Sequence, residues 1–138
     1  MNKILVIGGS KGIGNAIVNA LVSEHQIINI SRTAPLQPHN NLTHYDGDIL
    51  KDDLPEIDQI DTLIYCPGSI NLKPISRLKA EDFRNDFEIN VIGAVKAIQH
   101  YLPALKKGNN PSILLFSTVA AKLGMSFHPS VAAANSVV

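Results

Sequence analysis

The chain has little of what marks several broad classes of protein. Its single cysteine, Cys66, excludes an internal disulfide and a thiolate cluster. Neither sign of charge is in excess: twelve Lys and Arg offset twelve Asp and Glu. That balance removes the electrostatic case for nucleic acid or an anionic membrane as partner. The five histidines, His25, His39, His44, His100 and His128, show no metal-ligand spacing, so no metal is expected. No run approaches the roughly 20 apolar residues of a membrane span. The opening MNKILVIGG has too short an apolar run for a secretory leader, and a reducing cytoplasm is the expected location. No repeat, low-complexity tract or linker interrupts the chain, so residues 1–138 read as one domain with a real core.

What is present is glycine in one place. Ile4-Leu5-Val6-Ile7 reads as a buried strand, short and mostly β-branched. Gly8, Gly9, Gly12 and Gly14 follow, and then Ile13, Ala16, Ile17, Ala20 and Leu21 fall at helical spacing. The glycines therefore sit at a strand-to-helix turn. Glycine reaches positive φ there and lets another group approach the backbone. The new helix aims unpaired N–H groups and a positive dipole end into the same gap, which suits a phosphate. The spacing Gly8-x3-Gly12-x-Gly14 is neither G-x-G-x-x-G nor a P-loop, and a plain tight turn would use the same glycines.

Elements then alternate. The pattern predicts strands at 3–8, 25–30, 42–49, 61–66 and 112–117, with a first helix at 12–23. The stretch LKDDLPEIDQI has room for a turn or so of helix. A long helix is predicted from Ala80 to Leu102, with Phe83, Phe87, Val91, Ala94, Ile98 and Leu102 on its apolar face and Pro103 at its end. An alanine-rich segment near the end of the chain has the composition to begin a further helix. Near-continuous aliphatic strands alternating with helices predict an α/β fold, a doubly wound parallel sheet of Rossmann type with order 3-2-1-4-5. Ligands bind at the carboxyl edge of such a sheet. That edge collects Gly8 to Gly14, Ser31-Arg32, Asp48-Ile49, Cys66-Pro67-Gly68 and Ser117-Thr118.

Taken together these segments resemble the short-chain dehydrogenase/reductase family. GGSKGIG is similar to that family's T-G-x-x-x-G-I-G, with Ile7 in place of the threonine. Gly47-Asp48-Ile49 resembles the acidic and aliphatic pair that holds the adenine. DTLIYCPG resembles D-x-L-V-N-N-A-G, with Tyr65-Cys66-Pro67 replacing Asn-Asn-Ala. EDFRNDFEINVIGAV resembles the long central helix, with Asn90 at the family asparagine, and PSILLFSTVAAKLG resembles the strand and loop of the catalytic serine, with Thr118 at its position. The resemblance implies an oxidoreductase that moves hydride between a nicotinamide dinucleotide and a carbonyl or alcohol. It implies cofactor contacts at Gly8, Gly9, Ser10, Lys11, Gly12, Ile13, Gly14, Ser31, Arg32, Asp48, Ile49, Pro67 and Gly68, and catalytic roles for Asn90 and Thr118.

The departures lie at the chemistry. The family's Tyr-x-x-x-Lys pair falls on Val131 and Asn135, and no displaced Tyr-x-x-x-Lys exists elsewhere. The family is normally longer, so the C-terminal part of its fold is expected to be missing from these residues. Three readings follow: a reductase of the family, a dinucleotide-binding protein without a redox step, and an inactive piece of a longer reductase. Plainer roles stand beside the functional ones. Asp48 would cap the segment after strand three, Asn90 would bend its helix through backbone bonding, and Thr118 would be a strand-end residue. Lys11 and Arg32 would be surface charges.

Cofactor choice follows from the end of strand two. An acidic residue there binds the ribose 2′-hydroxyl of NAD. Ser31-Arg32 stands at that place, with Lys11 in the glycine turn, and the expected cofactor is NADP(H). A homo-oligomer is expected, because strand five would present an open edge.

Overall fold

The computed structural model describes all 138 residues. Five strands, β1 (Lys3–Ile7), β2 (Gln26–Ser31), β3 (Leu42–Asp46), β4 (Thr62–Tyr65) and β5 (Ser112–Leu115), form one sheet. All pairings are parallel and the order is β3-β2-β1-β4-β5, as the alternation of elements predicts. The register sets Leu5 between Ile28 and Leu63. Helices α1 (Gly12–Leu21), α2 (Ala80–Phe87), α3 (Gly93–Lys106) and α4 (Pro129–Asn135) complete the fold. No helix is long and apolar enough to cross a membrane.

Alternation along the central strands splits the core in two. Ile4 and Val6 join Ile27 and Ile64 on one face, beneath Val18 and Val22. Leu5 and Ile7 join Leu63 and Tyr65 on the other, beneath Ala94, Ala97, Tyr101, Ala104 and Leu105 of α3. Alanines at the contact let α3 lie close to the sheet.

Helix α1 is rotated from its expected orientation. Gly14 and Val18 are buried, with Ile17 and Leu21 packed beside them, whereas Ile13 is 62% exposed. The cause is the start of the helix: a Cβ on Gly14 would lie 2.2 Å from the Gly8 carbonyl oxygen. Only the glycine face can meet the turn, and it carries residues 14, 18, 21 and 22 inward with it.

The long helix also differs from expectation. It runs past Pro103 to Lys106. Proline costs the helix one N–H bond, but Ala104 and Leu105 beyond it are buried in the core, and the Ala104 carbonyl accepts from Ile60 N. Phe87 and Leu102, expected inside, are exposed, and Tyr101 takes the buried place, its hydroxyl donating to the Pro55 carbonyl. The LKDDLPEIDQI stretch forms a turn and no helix.

A π-turn, Glu88–Ile92, separates α2 from α3. Tyr65 of β4 donates its hydroxyl to the Ile89 carbonyl at 2.6 Å, a group the widened turn leaves available. Burial, and next the Asp48 charge, push the Tyr65 pKa well above the ordinary phenol range, so the hydroxyl stays a donor. Gly93 makes room for it: a Cβ there would lie 2.1 Å from the Tyr65 oxygen. Gly93→Ala should therefore cost about 1–3 kcal/mol by urea unfolding. The penalty should shrink in a Tyr65→Phe background, where the clashing oxygen is gone. Equal penalties in both backgrounds would show that the contact does not shape the turn.

Candidate functional site

The carboxyl ends of β1, β2, β3 and β4 open into one cleft of about 890 Å³. Gly8, Ser10 and Lys11 line it from the glycine turn, Ser31 and Arg32 from the end of β2, Asp48 and Ile49 from beyond β3, and Pro67 and Gly68 from beyond β4. Four segments far apart in sequence thus meet in one cavity. The remaining candidates stand behind or beside it. Gly9, Gly12, Ile13 and Gly14 shape the turn without lining the cleft, and Asn90 and Thr118 do not line it either.

The turn is built as its glycines require. Gly12 has φ +54°, in the left-handed region, and a Cβ there would meet nothing within 4 Å, so that side of the turn is open. Gly9 is held from behind by Asn29 of β2, fully buried, whose Oδ1 accepts from Gly9 N at 2.8 Å. The Asn29 amide nitrogen donates to Ser31 Oγ at 2.8 Å and to His44 Nδ1 at 2.9 Å. His44 then carries its proton on Nε2, facing Asp46 Oδ1 at 3.0 Å. Ser31 Oγ donates to the Thr33 carbonyl, and Thr33 Oγ1 donates to Ser10 Oγ at 3.2 Å. The chain of bonds runs from Gly9 through β2 and Thr33 back to Ser10 of the turn, with a branch to His44 and Asp46 of β3.

That network changes what Ser31 offers. Its side chain is 7% exposed and its proton is committed to Thr33. The free donors at this end of the cleft are the exposed Lys11 and Arg32. Asp48 does two things: it lines the cleft, and its Oδ1 accepts from Leu50 N at 2.9 Å, capping the turn after β3. Cys66 also lines the cleft, but burial pushes its thiol up to about 11, which leaves little thiolate at neutral pH.

Asn90 lies within the π-turn. Its amide donates to the Asp86 carbonyl at 2.7 Å, and more weakly to Ser69 at 3.4–3.5 Å, so it ties its own helix to the segment after β4. Thr118 caps the short 3₁₀ turn Val119–Ala121, its hydroxyl oxygen accepting from Ala120 N at 3.3 Å. Val131 and Asn135 are buried in α4. Asn135 donates to the Val131 carbonyl at 3.0 Å, and its own carbonyl accepts from Ser117.

A family profile described as short chain dehydrogenase matches residues 48–136. The chain belongs to the short-chain dehydrogenase family. An uncharacterised oxidoreductase of Schizosaccharomyces pombe is 26% identical over 137 residues, covering 87% of this chain and 55% of that protein. A short-chain dehydrogenase/reductase of Saccharomyces cerevisiae superposes with a TM-score of 0.87 at 23% identity, covering 99% of this chain and 61% of the other. ElxO with NADPH bound superposes with a TM-score of 0.84 at 16% identity, covering 99% of this chain and 63% of that one. The chain spans about half the length of the curated relatives it matches.

Composition and periodicity pass over Asn29, because a polar residue inside a strand of isoleucines carries no local pattern. Its partners, Gly9 and His44, become neighbours only when the sheet forms. Asn29→Leu should leave Gly9 N–H buried without an acceptor and cost about 1–3 kcal/mol in urea unfolding. Amide exchange at Gly9 should accelerate. Unchanged exchange there would show that Asn29 does not hold the turn.

Proposed function

We propose that this short-chain dehydrogenase chain binds NADP(H) across the carboxyl edge of its sheet, and that residues 1–138 reduce carbonyls at no more than a trace rate. The observation that carries the first half is the single cleft shared by the glycine turn, Arg32, Asp48 and Pro67-Gly68.

The residues present fit a dinucleotide. Gly12 leaves open space at the start of α1, where the first helical N–H groups have no intrahelical partner, and this suits a pyrophosphate. Asp48 and Ile49 suit the adenosine end, and Pro67-Gly68 form the opposite wall. Lys11 and Arg32, exposed at the mouth, suit a 2′-phosphate; no carboxylate stands at the end of β2 to repel it. When bound, the nicotinamide supplies or accepts hydride.

Proton transfer is the weaker half. Positioned acid–base groups contribute about 10²–10⁴-fold to rate. Valine at 131 has no proton to give, and Asn135 brings no positive charge to tune a replacement. Both are committed to the interior of α4. Thr118 and Asn90 remain as hydroxyl and amide, each already engaged with backbone. The outer edge of β5 is open, with Ile113 and Leu114 exposed, and we expect these residues to self-associate.

Calorimetric titration should show tighter binding of NADPH than of NADH. Arg32→Ala should remove most of that preference, about tenfold for one charge-assisted contact. Gly12→Val should remain folded and lose binding of both. Equal affinities in the wild type, or binding by Gly12→Val as before, would overturn the assignment. In the same preparations, NADPH oxidation with aldehydes and ketones should stay near background. Turnover at ordinary enzymic rates would show that another acid serves.

A further inference from the structure

Asp86 is 0% exposed and lies outside the cleft, and its side chain has no part in the site described above. Its Oδ1 accepts from Ser69 Oγ at 2.5 Å and from Asn71 Nδ2 at 2.9 Å. Its Oδ2 has no partner at all. A carboxylate buried in this way is costly, so the arrangement asks what it secures.

The answer lies in the segment it holds. Ser69 and Asn71 line the cleft, and both belong to the stretch between β4 and α2. That stretch has almost no backbone support. Cys66 N donates to the Ile7 carbonyl, and Lys73 N to the carbonyls of Asn71 and Phe127, but no backbone N–H of residues 67–72 donates to a backbone carbonyl. Side chains do the holding instead. Asp86 takes Ser69 and Asn71, and Asn90, one helical turn along, bonds Ser69 and the Asp86 carbonyl. At the other end Pro67 packs over Gly8, with ring atoms 3.1 Å from where a Gly8 Cβ would stand. The wall of the cleft facing the glycine turn is thus pinned at one end by Pro67 and at the other by one buried carboxylate.

We propose that Asp86 is the positioning residue for this wall: its buried oxygen clamps Ser69 and Asn71 to α2, so that residues 67–71 are already shaped for a bound dinucleotide. The inference rests on the reading of the cleft as an NADP(H) site. The clamp works by accepting hydrogen bonds. Oδ2 meets no cation and no donor, and no basic side chain pairs with Asp86. An amide oxygen would therefore serve as well as a carboxylate oxygen.

Global stability does not decide the matter, since replacing a buried charge by an apolar residue is often neutral or stabilising. Local order does. Backbone ¹⁵N order parameters of residues 68–72 are to be measured on the wild type, Asp86→Asn and Asp86→Ala, without cofactor, and NADPH affinity on the same three proteins. Order parameters in that segment should fall in Asp86→Ala and stay near wild type in Asp86→Asn. NADPH binding should weaken about tenfold in the alanine variant and be retained in the asparagine variant. If Asp86→Ala fails to fold, Asn71→Ala removes one of the two bonds from a partly exposed position and should give a smaller fall in the same segment. Order parameters unchanged in the alanine variants overturn the clamp, whatever NADPH does. Asparagine behaving like alanine overturns its description as an acceptor. A wild type that binds no NADPH, with order parameters responding as described, overturns the cofactor reading and leaves the clamp standing.

Discussion

The contact between the start of α1 and the Gly8 carbonyl is the constraint on which the rest of the site depends. Two backbone segments approach so closely at Gly14 that no side chain fits between them. This contact sets the rotation of α1, sends Val18 and Val22 into the core, and leaves Ile13 outside. It also holds the start of α1 directly behind Ser10 and Lys11, which line the cleft. Parallel pairing does the remainder: every strand points its carboxyl end at the same edge, so loops distant in sequence must converge there. Asn29 and Asp86 fasten the two sides of that convergence from behind, one through Gly9 and one through Ser69.

Much of this was legible in the residues. Strand order follows from βα alternation and the handedness of crossovers, and the glycine turn from a short aliphatic run that stops at Gly8. Helix ends and faces were less legible. Pro103 reads locally as a stop, yet the burial of Ala104 and Leu105 against the sheet carries the helix through it. The apolar face read onto α1 included Ile13, because periodicity cannot register that Gly14 must face the turn. Asn29, His44 and Asp86 were invisible for a related reason: Asn29 and His44 are polar residues inside strands, Asp86 is one of several charged residues on a polar helix, and the meaning of each resides in partners brought together only by the fold.

The two ends of the molecule carry different chemistry. On the β2 side, cationic side chains line an open cleft beside the glycine turn, and membership of the short-chain dehydrogenase family accords with a dinucleotide there. On the β5 side, Thr118 caps a turn, Asn135 bonds its own helix, and Val131 fills space. Binding geometry and proton-transfer chemistry are thus separated in this chain. A family fold accords with the first without guaranteeing the second, because catalysis rests on particular side chains.

The central claim is that a dinucleotide lies across the carboxyl edge, between the glycine turn and the Pro67–Asn71 wall. An amide NMR titration of the chain with NADPH tests it most directly. The account predicts saturable shifts gathered at Gly8–Gly14, Arg32, Thr33, Asp48, Ile49 and Gly68–Asn71, with the outer face of α3 unmoved. No shifts at millimolar NADPH, or shifts gathered away from that edge, would contradict it.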